Sequence, residues 1–164
     1  MPQPKQALVV GVAEMVVSDD PGVDLVTYSL GSCIGITVYD PVQKIGGLLH
    51  VMLPDSSLHP AKAALWPSMF VDTGVPCLFH SLYNLGADRD RLEIKAVGGA
   101  QFLDAARVFN IGERNQQALL ELLARNGFSL QASDLGGISS RTLHLQLGTG
   151  LVQIQTPGVD PYSL

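Results

Sequence analysis

Two apolar segments separated by a turn signal constrain the fold of this chain more than any other feature. Residues 34–39 alternate in character and are rich in β-branched side chains, which is typical of a strand. Asp40-Pro41 interrupts the pattern, and residues 45–53 return as a second strand-like segment. We therefore predict a β-hairpin in which Cys33 and His50 lie at the same open end.

Other segments add strands and two long helices. Residues 7–17 are predicted to form one strand, and the alternating leucines after residue 142 begin a C-terminal hairpin. Residues 111–126 give the clearest helix, since an apolar stripe runs along them and Gly127 follows. Residues 69–85 are also helical, but Pro76 is acceptable only in the first turn. The regular part of that helix is therefore predicted to begin near Val75.

Strands outnumber helices, and hairpins outnumber plausible parallel crossovers. This pattern favours an α+β fold with a mixed, mostly antiparallel β-sheet core packed by helices. A chain of 164 residues suits one compact domain, so residues 1–164 are expected to form a single domain. Hydrophobic residues make up 46% of the chain and charged residues 15%, and this balance predicts a buried core rather than disorder.

Charge and hydropathy exclude several classes of function. The net charge is −5, which argues against a general nucleic-acid binder, because binding of that kind requires many neutralised phosphates. No apolar run is long enough to span a bilayer, and the N-terminal residues lack the pattern of a signal peptide. The expected location is therefore the cytoplasm, without membrane insertion, where Cys33 and Cys77 would be free thiols.

Cys33 and His50 are the candidate catalytic pair. A thiol near an imidazole is the minimal nucleophile–base combination, since the base helps to form the thiolate near neutral pH. Gly31-Ser32 places Cys33 at a bend, where small residues leave room for a substrate carbonyl and backbone N–H groups are free for an oxyanion. The alternatives are a buried structural cysteine and a histidine that is simply packed in the core.

Thr27 on the preceding strand is the candidate third member of the site. Its hydroxyl would hydrogen-bond the imidazole of His50 and fix the tautomer, although a threonine on a strand is more commonly only a β-former. No metal or other cofactor is predicted, because the histidines lack tight spacing and there is no Cys-x-x-Cys pair. The remaining histidines are His59, His80 and His144.

These residues lie in a series of ordered motifs that resembles the CheD family of chemoreceptor glutamine deamidases. The strongest stretch is Leu30-Gly31-Ser32-Cys33, followed by Tyr39-Asp40-Pro41, Gly46-Gly47 and His50-Val51-Met52-Leu53-Pro54. Further similar blocks follow in order along the chain: Val71-Asp72-Thr73, Lys95-Ala96-Val97-Gly98-Gly99-Ala100, Asn110-Ile111-Gly112-Glu113-Arg114-Asn115 and Asp134-Leu135-Gly136-Gly137. The order of the blocks makes the resemblance specific, which an isolated Gly-Ser-Cys would not be.

The resemblance implies a function and roles for the residues. Members of the family convert glutamine side chains of chemoreceptors to glutamate in bacterial chemotaxis, and their fold resembles the catalytic domain of cytotoxic necrotizing factor toxins. By this resemblance Cys33 is the nucleophile, His50 the base and Thr27 the third catalytic residue, while Ser32 and Gly31 lie at the oxyanion or substrate-positioning site. The implied partners are the cytoplasmic helices of chemoreceptors and, in some bacteria, a CheC phosphatase.

Two other functions remain compatible with the sequence. The chain would be a binding module if it docked on a CheC-like phosphatase or on receptors with little turnover. It would be a different thiol enzyme if Cys33 acted on a small amide or on a peptide bond. The motifs differ from the common family pattern at Phe70 and at residues 138–141, which bear on substrate choice and partner surface rather than on the proposed catalytic residues.

Overall fold

The computed structural model describes residues 5–101 and 110–164, and within them ten strands form two five-stranded sheets. The first sheet consists, in spatial order, of β1 (Gln6–Val9), β3 (Val23–Leu30), β8 (Arg141–Gln146), β9 (Val152–Thr156) and β10 (Val159–Ser163). The second sheet consists of β2 (Met15–Ser18), β5 (Ile45–Val51), β4 (Ile34–Asp40), β6 (Glu93–Gly98) and β7 (Ala132–Leu135).

Most neighbouring strands are antiparallel. The exceptions are β1 with β3 and β6 with β7, which pair in parallel. In the described ranges, three α-helices accompany the sheets: α1 (Pro60–Leu65), α2 (Val71–Leu85) and α3 (Ile111–Arg125). The predicted α+β class, with a mixed and mostly antiparallel sheet core packed by helices, is confirmed.

The predicted hairpin is β4 and β5, which pair from Ile34–Val51 to Asp40–Ile45. Every residue of both strands is buried, because the second sheet lies between two layers. Side chains such as Ile36 pack against α2 and α3, while the opposite face packs against the first sheet. Gly35 allows that second contact, since a Cβ there would lie 2.7 Å from a methyl group of Leu143.

Helix α2 differs from the prediction at its N-terminal end. It begins at Val71 and runs without a break through Pro76, although the ring nitrogen has no hydrogen to donate to the carbonyl four residues earlier. Buried side chains, including Val75 and Leu78, face the sheet on both sides of the proline, so packing compensates for the missing bond. The helix ends at Gly86, which has a φ of 106°.

Residues 7–17 do not form the single strand that the sequence predicts. They form the end of β1 and the start of β2, which belong to different sheets. The reversal between them uses Ala13 at a φ of 60° and a bond from the Gly11 N–H to the Glu14 carboxylate. The apolar pairs Val9-Val10 and Val16-Val17, although close together in sequence, therefore lie along different sheets. None of the helices in the described ranges has the length and apolar character required to cross a membrane.

Candidate active site

Cys33 lies in a three-residue connection between the two sheets, residues 31–33, which we call the crossover loop. Strand β3 of the first sheet ends at Leu30, and β4 of the second begins at Ile34. The register of β3 shifts between Thr27 and Leu30, and Ser29 adopts a φ of 57°. Such a bulge turns the chain out of its sheet, which brings Cys33 to the start of the hairpin as predicted.

The hairpin register brings Cys33 and His50 to one side of the second sheet. Gly35 pairs with His50 and Ile34 with Val51, so one further step sets Cys33 opposite Met52. Residues two apart on a strand face the same side, and diagonal neighbours across a pair have Cα atoms about 7–8 Å apart. If the register continues by that step, Cys33 and His50 are diagonal neighbours on the face that meets the first sheet, and the thiol does not hydrogen-bond Nε2 in this structure.

Thr27 reaches His50 from the other sheet and determines its tautomer. Thr27 Oγ1 lies 2.7 Å from His50 Nδ1 and donates its only proton to the Val10 carbonyl, also at 2.7 Å. The hydroxyl can therefore only accept from the ring, so Nδ1 carries the hydrogen. The other ring nitrogen, Nε2, is left with its lone pair, and it has no hydrogen-bond partner among the residues that the structure describes.

The thiol and the imidazole are both neutral near pH 7. His50 is fully buried, and this burial lowers the pKa of its imidazole to about 4. Burial also raises the pKa of the Cys33 thiol. The pair therefore rests as thiol and imidazole rather than as an ion pair, and proton transfer to Nε2 has to accompany attack by sulfur.

The carbonyl groups of the crossover loop are all hydrogen-bonded. Gly31 accepts from the Ala100 N–H and Cys33 from the Gly99 N–H, both at 2.8 Å. The Ser32 carbonyl accepts from Asn115 Nδ2 at 3.0 Å. In contrast, within the described ranges the backbone N–H groups of Ser32 and Cys33 donate to no carbonyl oxygen, and the Cys33 N–H faces its own sulfur, where it partly opposes the effect of burial on the thiol pKa. The loop thus presents free donors next to the sulfur, which is the arrangement that an oxyanion requires.

Gly98 allows this close contact between the crossover loop and β6. It has a φ of 118°, and a Cβ there would overlap the carbonyl oxygen of Cys33. A glycine is expected here because two backbones touch at this point.

Asn115 is the residue at this site that sequence reasoning missed. It is fully buried and lies four residues after Ile111 and four before Leu119, on the apolar stripe of α3. A polar residue on such a stripe was the signal available in the sequence.

Two other histidines, His59 and His80, are exposed. No group of three potential metal-ligating side chains occurs in the described residues.

The buried imidazole predicts that acid destabilises the protein. Because the pKa of His50 is about 4 when folded and 6.5 ordinarily, the unfolded chain binds more protons between these values. The stabilisation is therefore present above about pH 6.5 and is lost as the pH falls to about 4, a difference of about 3 kcal/mol. Urea denaturation at pH 7 and pH 4 measures it. His50→Gln should lose less stability over this interval, whereas the exposed-site control His59→Gln should follow wild type; equal losses for all three would contradict the assignment.

Comparison with known proteins gives a consistent result. A family model described as CheD chemotactic sensory transduction matches residues 52–156. A probable chemoreceptor glutamine deamidase CheD of Solibacter usitatus is 45% identical over 153 residues, which is 93% of this chain and 90% of the relative. Proteins with the same name from Symbiobacterium thermophilum and Pyrococcus horikoshii are 44% and 42% identical, over 94% and 89% of this chain and 95% and 90% of their own.

Proposed function

The chain belongs to the CheD family, and on that premise we propose that it is a protein-glutamine deamidase of bacterial chemotaxis. It hydrolyses the side-chain amide of specific chemoreceptor glutamines to give glutamate and ammonia. The curated relatives carry this activity in their names. The observation that carries the mechanism is the hydrogen-bond chain from His50 through Thr27 to the Val10 carbonyl, because it leaves a lone pair on Nε2 to act as base.

In the first half of the proposed reaction, Cys33 attacks the carboxamide carbon of the substrate glutamine. A carbon–sulfur bond forms while the thiol proton moves to Nε2 of His50. The carbon–nitrogen bond then breaks, and the proton on His50 passes to the departing nitrogen, which leaves as ammonia. A thioester on Cys33 remains.

In the second half, water hydrolyses the thioester. His50 takes a proton from the attacking water, the carbon–sulfur bond breaks and the proton returns to sulfur. The free thiol is regenerated and the substrate side chain leaves as the carboxylic acid, so the cycle needs no metal or cofactor. General base catalysis contributes about 10²–10⁴-fold in reactions of this kind.

The negative charge that develops on the carboxamide oxygen is held by backbone N–H groups of the crossover loop. Those of Ser32 and Cys33 are the donors, and Gly31 leaves the approach open because it has no side chain. Removal of one such donor typically costs about 10²–10³-fold in rate. The occupied carbonyls of the same loop support this assignment, since they leave only donors free.

The site joins the two sheets, because Thr27 belongs to the first sheet and His50 to the second. Neither sheet alone holds the base in its reactive tautomer. For this reason we propose that residues 1–164 act as a single deamidase domain. Its substrates would be the cytoplasmic helices of chemoreceptors, so the protein would work in the cytoplasm, and a CheC-like phosphatase would be a further partner.

The direct test is incubation of the protein with cytoplasmic chemoreceptor fragments. We expect ammonia release together with the mass change of an amide replaced by an acid, mapped by peptide mass spectrometry to particular glutamines. Small amides and peptide bonds serve as controls for a different thiol enzyme. Tight binding of receptor fragments without any mass change would instead favour the binding module.

A further inference from the structure

Asn115 connects helix α3 to the crossover loop, which contains Cys33, and to the end of β5, which contains His50. Its Nδ2 group donates one hydrogen bond to the Ser32 carbonyl and one to the Met52 carbonyl, each at 3.0 Å. Ser32 directly precedes Cys33, and Met52 follows His50 by two residues. A single carboxamide, fully buried, thus ties the crossover loop to the end of β5.

The orientation of this carboxamide is fixed by its partners. Both Nδ2 hydrogens face carbonyl oxygens, so a flipped amide would set Oδ1 against two acceptors. In the orientation present, Oδ1 is buried and has no partner among residues 5–101 and 110–164. An unpartnered buried acceptor lowers stability, and an apolar residue would fit the stripe of α3 without that loss. The two hydrogen bonds to Ser32 and Met52 are therefore the feature that explains the asparagine.

The bond to Ser32 also orients the N–H of Cys33. The carbonyl of one residue and the N–H of the next belong to the same planar peptide and point in opposite directions. Since Asn115 holds the Ser32 carbonyl towards α3, the Cys33 N–H points away from the helix. A hydrogen bond to a carbonyl also polarises its peptide, which makes the N–H a stronger donor.

From this geometry we infer that Asn115 is a positioning residue for the oxyanion site. It acts through the Ser32–Cys33 peptide, holding the Cys33 N–H ready for the carboxamide oxygen of the substrate glutamine. The inference rests on the proposed deamidase function. It adds a residue that hydrogen-bonds neither the sulfur nor the imidazole. Its loss should affect the tetrahedral intermediate far more than thiolate formation, because burial acts more strongly on the pKa of the Cys33 thiol than the Cys33 N–H does.

Two reactions of Cys33 separate these effects. Deamidation of a receptor fragment develops an oxyanion, whereas alkylation by iodoacetamide displaces iodide at a saturated carbon and develops none. Asn115→Leu removes both donors while keeping a branched side chain of similar shape. We expect its kcat for ammonia release to fall about 10²-fold with KM nearly unchanged, and its alkylation rate from pH 6 to pH 10 to change far less than kcat. The control Asn126→Ala also loses a carboxamide bond on this helix, to Leu122, and should keep wild-type kcat.

Three results would overturn the inference. The first is a kcat of Asn115→Leu within threefold of wild type. The second is a loss of kcat in step with an altered alkylation profile, which indicates general disorder of the loop. The third is an equal loss in Asn126→Ala. If Asn115→Leu does not fold, Asn115→Ala is measured in the same way and judged by the same criteria. Failure of the deamidase proposal is a separate outcome, in which wild-type protein itself releases no ammonia.

Discussion

Cys33→Ala is expected to abolish ammonia release from chemoreceptor fragments while leaving the fold intact. The proposed covalent intermediate cannot form without sulfur, and loss of a nucleophile of this kind typically lowers kcat by about 10⁴-fold or more. Cys33 is only half-buried, so its truncation should leave the midpoint of thermal unfolding close to that of wild type. A coupled ammonia assay and a thermal melt measure the two quantities.

Cys77→Ala is the matched control for this variant. Cys77 is the other free cysteine and is also half-buried, but it lies on α2 and takes no part in the proposed reaction. It should retain full activity. A Cys33→Ala protein that still released ammonia at the wild-type rate would end the thiol mechanism, and equal losses in the two variants would point to a structural role for both thiols.

His50→Gln is expected to lower kcat by about 10³-fold, within the range found for general acid–base catalysis. Glutamine retains a polar side chain of comparable length, but it has no nitrogen that accepts a proton near neutral pH. Since burial raises the pKa of Cys33, the thiol should also alkylate more slowly at pH 7 once its base is gone. Deamidation assays and alkylation by iodoacetamide measure both effects.

His59→Gln provides the control, because the same substitution is made at an exposed position that has no proposed role. It should match wild type in both assays. Retention of wild-type turnover by His50→Gln would remove histidine from the mechanism.

In wild type, activity should hold from neutral pH down towards the pKa of about 4, and then fall as the imidazole becomes protonated and can no longer act as base.

The hairpin and the fold class could be predicted from the sequence because both depend on local patterns. Alternating β-branched residues and the Asp40-Pro41 turn lie within twenty residues of one another, and the register then follows from the turn and from burial. The approach of Cys33 to His50 is a direct consequence of that register. The roles of these residues came from the family motifs, and they stay predictions until the variants are measured.

Contacts between segments far apart in the sequence could not be predicted in the same way. Asn115 lies 83 residues from Ser32 and 63 from Met52, and no local pattern encodes such a contact. The prediction of a single strand over residues 7–17 was wrong for a related reason, since two apolar clusters on one stretch of chain lie along different sheets. Only the tertiary arrangement separates them, through a turn in which the left-handed conformation is adopted by Ala13 and not by a glycine.

The hydroxyl–imidazole bond of 2.7 Å crosses the boundary between two layers whose shared core is mainly apolar. Other polar contacts also cross it, including the bond from Arg141 to the Gly98 carbonyl. Apolar contacts tolerate small slippage, but a hydrogen bond weakens steeply once its distance and angle depart from their narrow range. Slight shear of one layer over the other would therefore release the imidazole to rotate while most of the core stayed packed. Catalytic activity thus depends on the alignment of the two layers, and heat or denaturant would abolish activity before it unfolds the protein.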